Sequence, residues 1–129
     1  HRYLDDADAL CRDNRLPDET LRRTLPGLLR MALESAARDR FYSTRLSKGE
    51  SLTAVEAHWD ATRSTSQRVS LAIYDEVRVL DGWLKTESRR KALGIATSGF
   101  HSALSSNTDP RDAVHHTKRA VDDVRAGLK

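Results

Sequence analysis

Apolar residues recur at helical spacing along most of the chain, and no segment shows the strict alternation that a half-buried strand requires. The first apolar stripe predicts a helix over roughly 2–14. Pro17 starts a second element. Pro26 is expected in the first turn of a longer helix over roughly 26–47, because proline is favoured at that position. The first third of the chain is therefore predicted to be helical.

A third stripe predicts one long helix that begins at a cap residue, Ser51 or Thr53. Its apolar and small positions alternate in steps of three and four, which is the pattern of a heptad seam. They are Leu52, Val55, Trp59, Thr62, Ser66, Val69 and Ile73. The segment 75–86 then breaks the pattern at a turn signal, and Trp83 is expected to dock this loop on the core.

Two further helices are predicted in the last third of the chain. One covers roughly 87–98, and the other begins at Pro110 with Asp109 as its cap. The apolar stripe of the last helix is Val114, Thr117, Val121, Val124 and Leu128. Four to five amphipathic helices with short connections predict an all-α, up-and-down bundle that occupies residues 1–129 as a single domain.

The composition narrows the class of protein. With 38% apolar and 32% charged residues and no apolar run near ~20 residues, the chain is expected to have no membrane span. Its single cysteine, Cys11, excludes an internal disulfide and fits a reducing cytoplasm. There is no CxxC, HExxH or glycine-rich phosphate loop, so no metal and no cofactor are expected. The chain begins with His1 rather than methionine, which is expected of a fragment of a larger protein.

Charge is distributed unevenly along the chain, whose net charge is +3. Residues 1–20 carry six acids and three bases, whereas residues 82–119 carry seven bases and three acids. A basic second half is suited to contact with phosphate. The predicted nucleic-acid-binding residues, for RNA or DNA, are Lys85, Arg89, Arg90 and Lys91. The alternative is an ordinary solvated helix surface.

The hexamer RDAVHH, residues 111–116, has the Arg-x4-His spacing of metal-independent ribonucleases. In such enzymes an imidazole is the general base or acid, and an arginine stabilises charge on the phosphate. On a helix, however, a five-residue step rotates the side chain by roughly 140°. Arg111 and His116 are therefore catalytic candidates, but their side chains are predicted to point in different directions within one chain.

Three segments resemble HEPN-type domains. The segment LPGLLRMALESAARDRF (25–41) resembles their second helix, in which a run of the form R-x-A-L-E precedes a basic tail. Residues 93–128 resemble their C-terminal half, where a glycine-containing turn and a histidine precede the last helix. With RYLDDADAL (2–10), the order is similar to the C-terminal domain of actinobacterial AAA-family ATPases with SMC-like or DNA-repair-like heads. The resemblance implies a HEPN-like bundle joined to the remainder of an ATPase chain.

The resemblance moves the expected catalytic histidine to His101, in TSGFH. With four to six residues between arginine and histidine, the arginine would stand at position 96, 95 or 94, which are Ala96, Ile95 and Gly94, so only the histidine half of the nuclease motif is carried over. This implies a HEPN fold without nuclease chemistry, and such domains commonly dimerise or bind nucleic acid.

Three functions follow as hypotheses. The first is a non-catalytic module of a DNA-repair or phage-defence ATPase that dimerises, contacts nucleic acid, or does both. The second is a metal-independent ribonuclease assembled in a homodimer, with His101 or His116 and an arginine from either copy. The third is a stand-alone protein-binding bundle.

Overall fold

The computed structural model describes residues 1–98 and 103–129, which fold into six α-helices and one 3₁₀ turn. The α-helices are α1 (Arg2–Arg12), α2 (Asp18–Ser47), α3 (Leu52–Asp60), α4 (Thr65–Tyr74), α5 (Glu87–Ser98) and α6 (Pro110–Ala126), and the 3₁₀ turn is Trp83–Lys85. No strand occurs among the described residues, so the predicted all-α bundle is confirmed. None of these helices combines the length and the apolar character needed to cross a membrane.

The 30-residue helix α2 is the centre of the bundle and packs against all five other α-helices. Its buried residues recur every three or four positions, and three of them are alanines, which let the neighbouring helices approach closely. They are Leu25, Pro26, Leu29, Ala32, Leu33, Ala36, Ala37 and Phe41. The long helix α6 packs on one side of α2 and α4 packs on another.

Helix α2 does not begin at Pro26, as the sequence predicts, but runs through it from Asp18. A proline inside a helix has no N–H group, so the carbonyl of Arg22, four residues earlier, lacks its usual donor. The backbone N–H of Leu104 donates to this carbonyl instead, at 2.8 Å. The predicted boundary is wrong because a loop distant in sequence supplies the missing hydrogen bond.

The predicted third helix is two helices, α3 and α4, and this raises the number of helices above the expected four to five. Thr62 leaves the helical path, and its Oγ1 donates to the carbonyl of Trp59 at 2.5 Å. Ser64 then caps α4 by accepting a hydrogen bond from the backbone N–H of Gln67 at 3.1 Å. The heptad seam is therefore not continuous, although Trp59 and Val69 are both buried in their separate helices.

Trp83 docks the connection between α4 and α5 on the core, as the sequence predicts. Its side chain is 0% exposed, and its indole N–H donates to the carbonyl of Leu128 at 3.1 Å. The 3₁₀ turn is thereby tied to the end of α6. Leu128, the last member of the predicted α6 stripe, is itself 50% exposed, because the helix ends before it.

Gly127 ends α6 in the left-handed conformation, with φ of 67°. A Cβ at this position would collide with the guanidinium of Arg40. We expect Gly127→Ala to lower the free energy of unfolding by about 1–2 kcal/mol, the cost of placing a Cβ in this conformation. Urea denaturation measures this difference.

Gly27→Ala is the matched control for this substitution. Gly27 lies inside α2, and an added Cβ there has no atom within 4 Å. We expect Gly27→Ala to raise the free energy of unfolding by about 0.5–1 kcal/mol, the preference of a helix interior for alanine. Equal stability of Gly127→Ala and the wild type would contradict the assigned backbone strain.

Candidate functional site

A cavity of about 600 Å³ lies between α5, the segment 103–109 and the first turns of α6. Its volume falls within the roughly 300–1,000 Å³ that is typical of small-molecule sites. Apolar and polar groups both line it. The apolar wall includes Pro26, Ile95 and Leu104, and the ionisable side chains include Lys91, Asp112 and His116.

The segment 103–109 is held against α2 by three hydrogen bonds to a single residue. The carbonyl of Arg22 accepts from the N–H of Leu104, and its guanidinium Nη1 donates to the carbonyls of Ser105 and Thr108 at 2.7 and 2.8 Å. The Arg22 side chain is itself oriented by Asp18, one turn earlier, at 2.9 Å. One wall of the cavity is therefore fixed by α2.

His116 faces this cavity from α6 and is half-buried. Its Nδ1 lies 2.9 Å from the hydroxyl of the buried residue Ser88 on α5. This hydrogen bond orients the imidazole and leaves Nε2 as the ring nitrogen for a ligand. Both imidazole tautomers are compatible with it, since a hydroxyl can donate or accept.

Arg111 does not join His116. It lies in a second, smaller cavity of about 250 Å³, together with Asp8, Cys11 and Arg12. The two candidates of the RDAVHH hexamer therefore point away from each other, in the sense predicted from helix phase. The third candidate, His101, lies outside the described residues.

The thiol of Cys11 is not an activated nucleophile. Burial, followed by the negative charge of Asp8, raises its pKa above the ordinary value, and the opposing effect of Arg111 is smaller. A thiol with a raised pKa stays protonated near neutral pH and reacts slowly. The smaller cavity thus carries no sign of cysteine chemistry.

The predicted basic cluster is only partly available to a partner. Lys85, Arg90 and Lys91 are exposed. The guanidinium of Arg90 donates to a backbone carbonyl at 3.3 Å, and the ammonium of Lys91 pairs with Glu87 at 2.8 Å. The hydrogen bond from Lys91 lowers the pKa of the Glu87 carboxyl, so its negative charge is retained next to that base.

The prediction that Arg89 belongs to this nucleic-acid-binding cluster is wrong, because Arg89 is buried and only 8% exposed. Its Nε donates to Asp123 on α6 at 2.8 Å, and its guanidinium lies 5.1 Å from the centre of the Trp83 ring. It therefore joins α5 to α6 and to the 3₁₀ turn. The sequence contained the signal, since Arg89 shares the helical spacing of Ala92 and Ala96, which are both buried.

The sequence did not indicate that Lys91 and His116 line one cavity with Pro26. Asp112 and His116 are one helical turn apart on α6. Among the described residues no group of three potential metal ligands is present. Besides Asp109, which caps α6, the cavity is lined by the carboxylate of Asp112, the ammonium of Lys91 and the imidazole of His116.

The chain was compared with protein-family models, with curated proteins and with solved structures, and it matches none of them.

Proposed function

We propose that this chain is a non-catalytic helical module that contacts nucleic acid through the exposed bases at the start of α5. The observation that carries the proposal is the exposure of Lys85, Arg90 and Lys91 within seven residues of one another. The resemblance to HEPN-type domains supports a place for it within a larger ATPase of the DNA-repair or phage-defence kind, where it would also dimerise.

The separation of Arg111 and His116 supports the non-catalytic part of the proposal. General acid–base cleavage of RNA requires the imidazole and the cation to meet at one phosphorus. These two side chains lie in different cavities of the chain. A phosphate bound beside His116 would thus lack the arginine of the hexamer.

Two of the three exposed bases are the strongest phosphate contacts. The side chain of Lys85 makes no hydrogen bond or ion pair within the described residues, and the guanidinium of Arg90 donates only to a backbone carbonyl. Neither side chain forms an ion pair with a carboxylate of the described residues. Lys91, in contrast, is paired with Glu87 and adds less to the local potential.

Lys85→Ala/Arg90→Ala is the variant that tests this surface. We expect it to weaken binding of single-stranded RNA and DNA at low salt and to reduce the slope of log K against log[salt] by about 0.7 for each base removed. Arg2→Ala/Arg63→Ala removes the same charge from two exposed arginines that also form no ion pair within the described residues, and is the matched control. Fluorescence anisotropy at several salt concentrations measures both quantities.

The same titrations contain the results that would overturn the proposal. Equal salt slopes for the two double variants would contradict the assignment of this surface. If the wild type binds no nucleic acid at low salt, the proposal of nucleic-acid contact is wrong. The bound RNA is expected to stay intact in EDTA. Cleavage that is lost in His116→Ala would instead establish the dimeric ribonuclease.

A further inference from the structure

The cavity beside His116 presents a carboxylate that no group of the described chain engages. The side chain of Asp112 lines the cavity and makes no hydrogen bond or ion pair within residues 1–98 and 103–129. Its neighbour Asp109, by contrast, is occupied as the cap of α6, where it accepts from a backbone N–H at 2.9 Å. The Asp112 carboxylate is therefore a hydrogen-bond acceptor available to a ligand, and its two oxygens can receive two adjacent donors.

Lys91 supplies the complementary donor to the same cavity. Its ammonium has three hydrogens, and the pair with Glu87 at 2.8 Å uses one of them. A ligand in this cavity has an acceptor in Asp112 and a donor in Lys91, because both residues line it. The apolar wall formed by Pro26, Ile95 and Leu104 suits the face of a flat ring.

We propose that this cavity binds a guanine base. Guanine has two adjacent N–H donors on its Watson–Crick edge, which match a carboxylate, and it has the acceptors O6 and N7, which match an ammonium. Adenine and cytosine place a ring nitrogen acceptor beside their amino group, so a carboxylate would face a lone pair. Uracil has a single N–H between two carbonyls. Among the four bases of RNA, guanine alone offers both patterns.

The base could come from two sources, a free guanine nucleotide or an unstacked residue of a bound single strand. Single-stranded loops and ends are recognised by contacts to the exposed edges of splayed bases. The exposed basic side chains Lys85 and Arg90 could then hold the phosphates next to such an unstacked nucleotide. A guanine site in this cavity would extend the proposed function, and it does not require that function.

Calorimetric titration of the full chain with guanosine 5′-monophosphate and adenosine 5′-monophosphate tests the proposal. We expect the guanine nucleotide to bind more tightly by about tenfold or more, the discrimination expected from one bidentate pair. Asp112→Asn should abolish this preference, because it replaces one acceptor oxygen with a donor. Asp122→Asn makes the same change at an exposed position of α6 outside the cavity lining and should leave the preference intact.

Single-stranded oligouridylate with and without one central guanosine identifies the source. An Asp112-dependent gain in affinity from the guanosine assigns the base to a bound strand, whereas binding of the mononucleotide alone assigns it to a free nucleotide. Equal affinity for both mononucleotides, or unchanged preference in Asp112→Asn, would overturn the proposal.

The failures of the two proposals are distinguishable in this design. If oligouridylate binds with a salt slope that depends on Lys85 and Arg90, but guanine adds nothing and the mononucleotide does not bind, the guanine site fails and the nucleic-acid surface stands. If the guanine mononucleotide binds through Asp112 and no oligonucleotide binds, the surface fails and the guanine site stands.

Discussion

Trp83→Ala is expected to destabilise the bundle by about 3–5 kcal/mol, the usual cost of removing a buried large aromatic side chain. The ring is 0% exposed, and it carries two polar contacts besides its packing. Its loss leaves the carbonyl of Leu128 without the indole donor and removes the surface on which the Arg89 guanidinium stacks. For a domain whose total stability is about 5–15 kcal/mol, this is a large share.

Urea denaturation followed by circular dichroism measures this effect without relying on tryptophan emission. Trp83→Phe is the control that separates packing from hydrogen bonding, because it keeps an aromatic ring and loses the N–H. We expect it to cost about 1–3 kcal/mol, chiefly from the carbonyl left unsatisfied and the smaller ring. A midpoint for Trp83→Ala close to that of the wild type would show that the 3₁₀ turn is dispensable to the core.

Glu34→Gln is expected to produce the second large effect, because Glu34 is the acceptor at the centre of a network between α2 and α4. Its Oε2 accepts from Arg30 at 2.8 Å and from the hydroxyl of Thr65 at 2.5 Å, and its Oε1 accepts from Arg68. Arg68 also lies over the ring of Trp59. Breaking a fully buried ion pair costs about 3–5 kcal/mol, and we expect about 2–3 kcal/mol here because both guanidinium groups remain partly hydrated.

The loss of stability in Glu34→Gln should depend on pH and become smaller in acid. Burial raises the pKa of the Glu34 carboxyl, but the hydrogen bonds from Arg30, Thr65 and Arg68 outweigh it, so the pKa lies below the ordinary value of 4.5. A carboxyl with a depressed pKa in the folded state contributes stability above its unfolded pKa and loses it as pH falls through the folded value. The stability difference between wild type and Glu34→Gln should be constant near neutral pH and shrink in acid.

Glu19→Gln is the matched control for this pH profile. Glu19 pairs with Arg23 on the same helix at 2.8 Å, but the two side chains are 76% and 70% exposed. An exposed pair of this kind contributes about 0–1 kcal/mol. Equal losses for the two glutamine variants in denaturation at pH 7 would show that the buried network does not hold α4 against α2.

The elements that the sequence predicted well are those defined by local signals. Helix α6 has the cap at Asp109, the proline at its first position and a regular apolar stripe, all within one segment. The divergence of Arg111 and His116 follows from helix geometry alone. A local signal also existed for the break before α4, since Ser64 and Gln67 form an S-x-x-Q cap, but the longer heptad pattern outweighed it.

The remaining features depend on groups that are distant in the sequence. Pro26 lies inside α2 because Leu104, in a later loop, supplies a donor, and no local pattern around Pro26 indicates this. The cavity likewise requires α2, α5 and α6 to meet. The helical spacing of Arg89 with Ala92 and Ala96 indicated its burial, but its partners, Asp123 and Trp83, belong to other elements and were not indicated by any local pattern.

Because Pro26 leaves the carbonyl of Arg22 free to accept from Leu104, the position of segment 103–109 depends partly on the backbone, whereas the chemistry of the cavity depends on side chains. Of the three hydrogen bonds that hold segment 103–109 against α2, the one from Leu104 to Arg22 runs between two backbone groups, so it does not require a particular side chain at position 104. Only a proline at 104 would remove its donor. Side chains that face the cavity can therefore be exchanged in the course of evolution while their frame stays in place. A family of such bundles could diversify in ligand preference without first losing the architecture that holds the ligand.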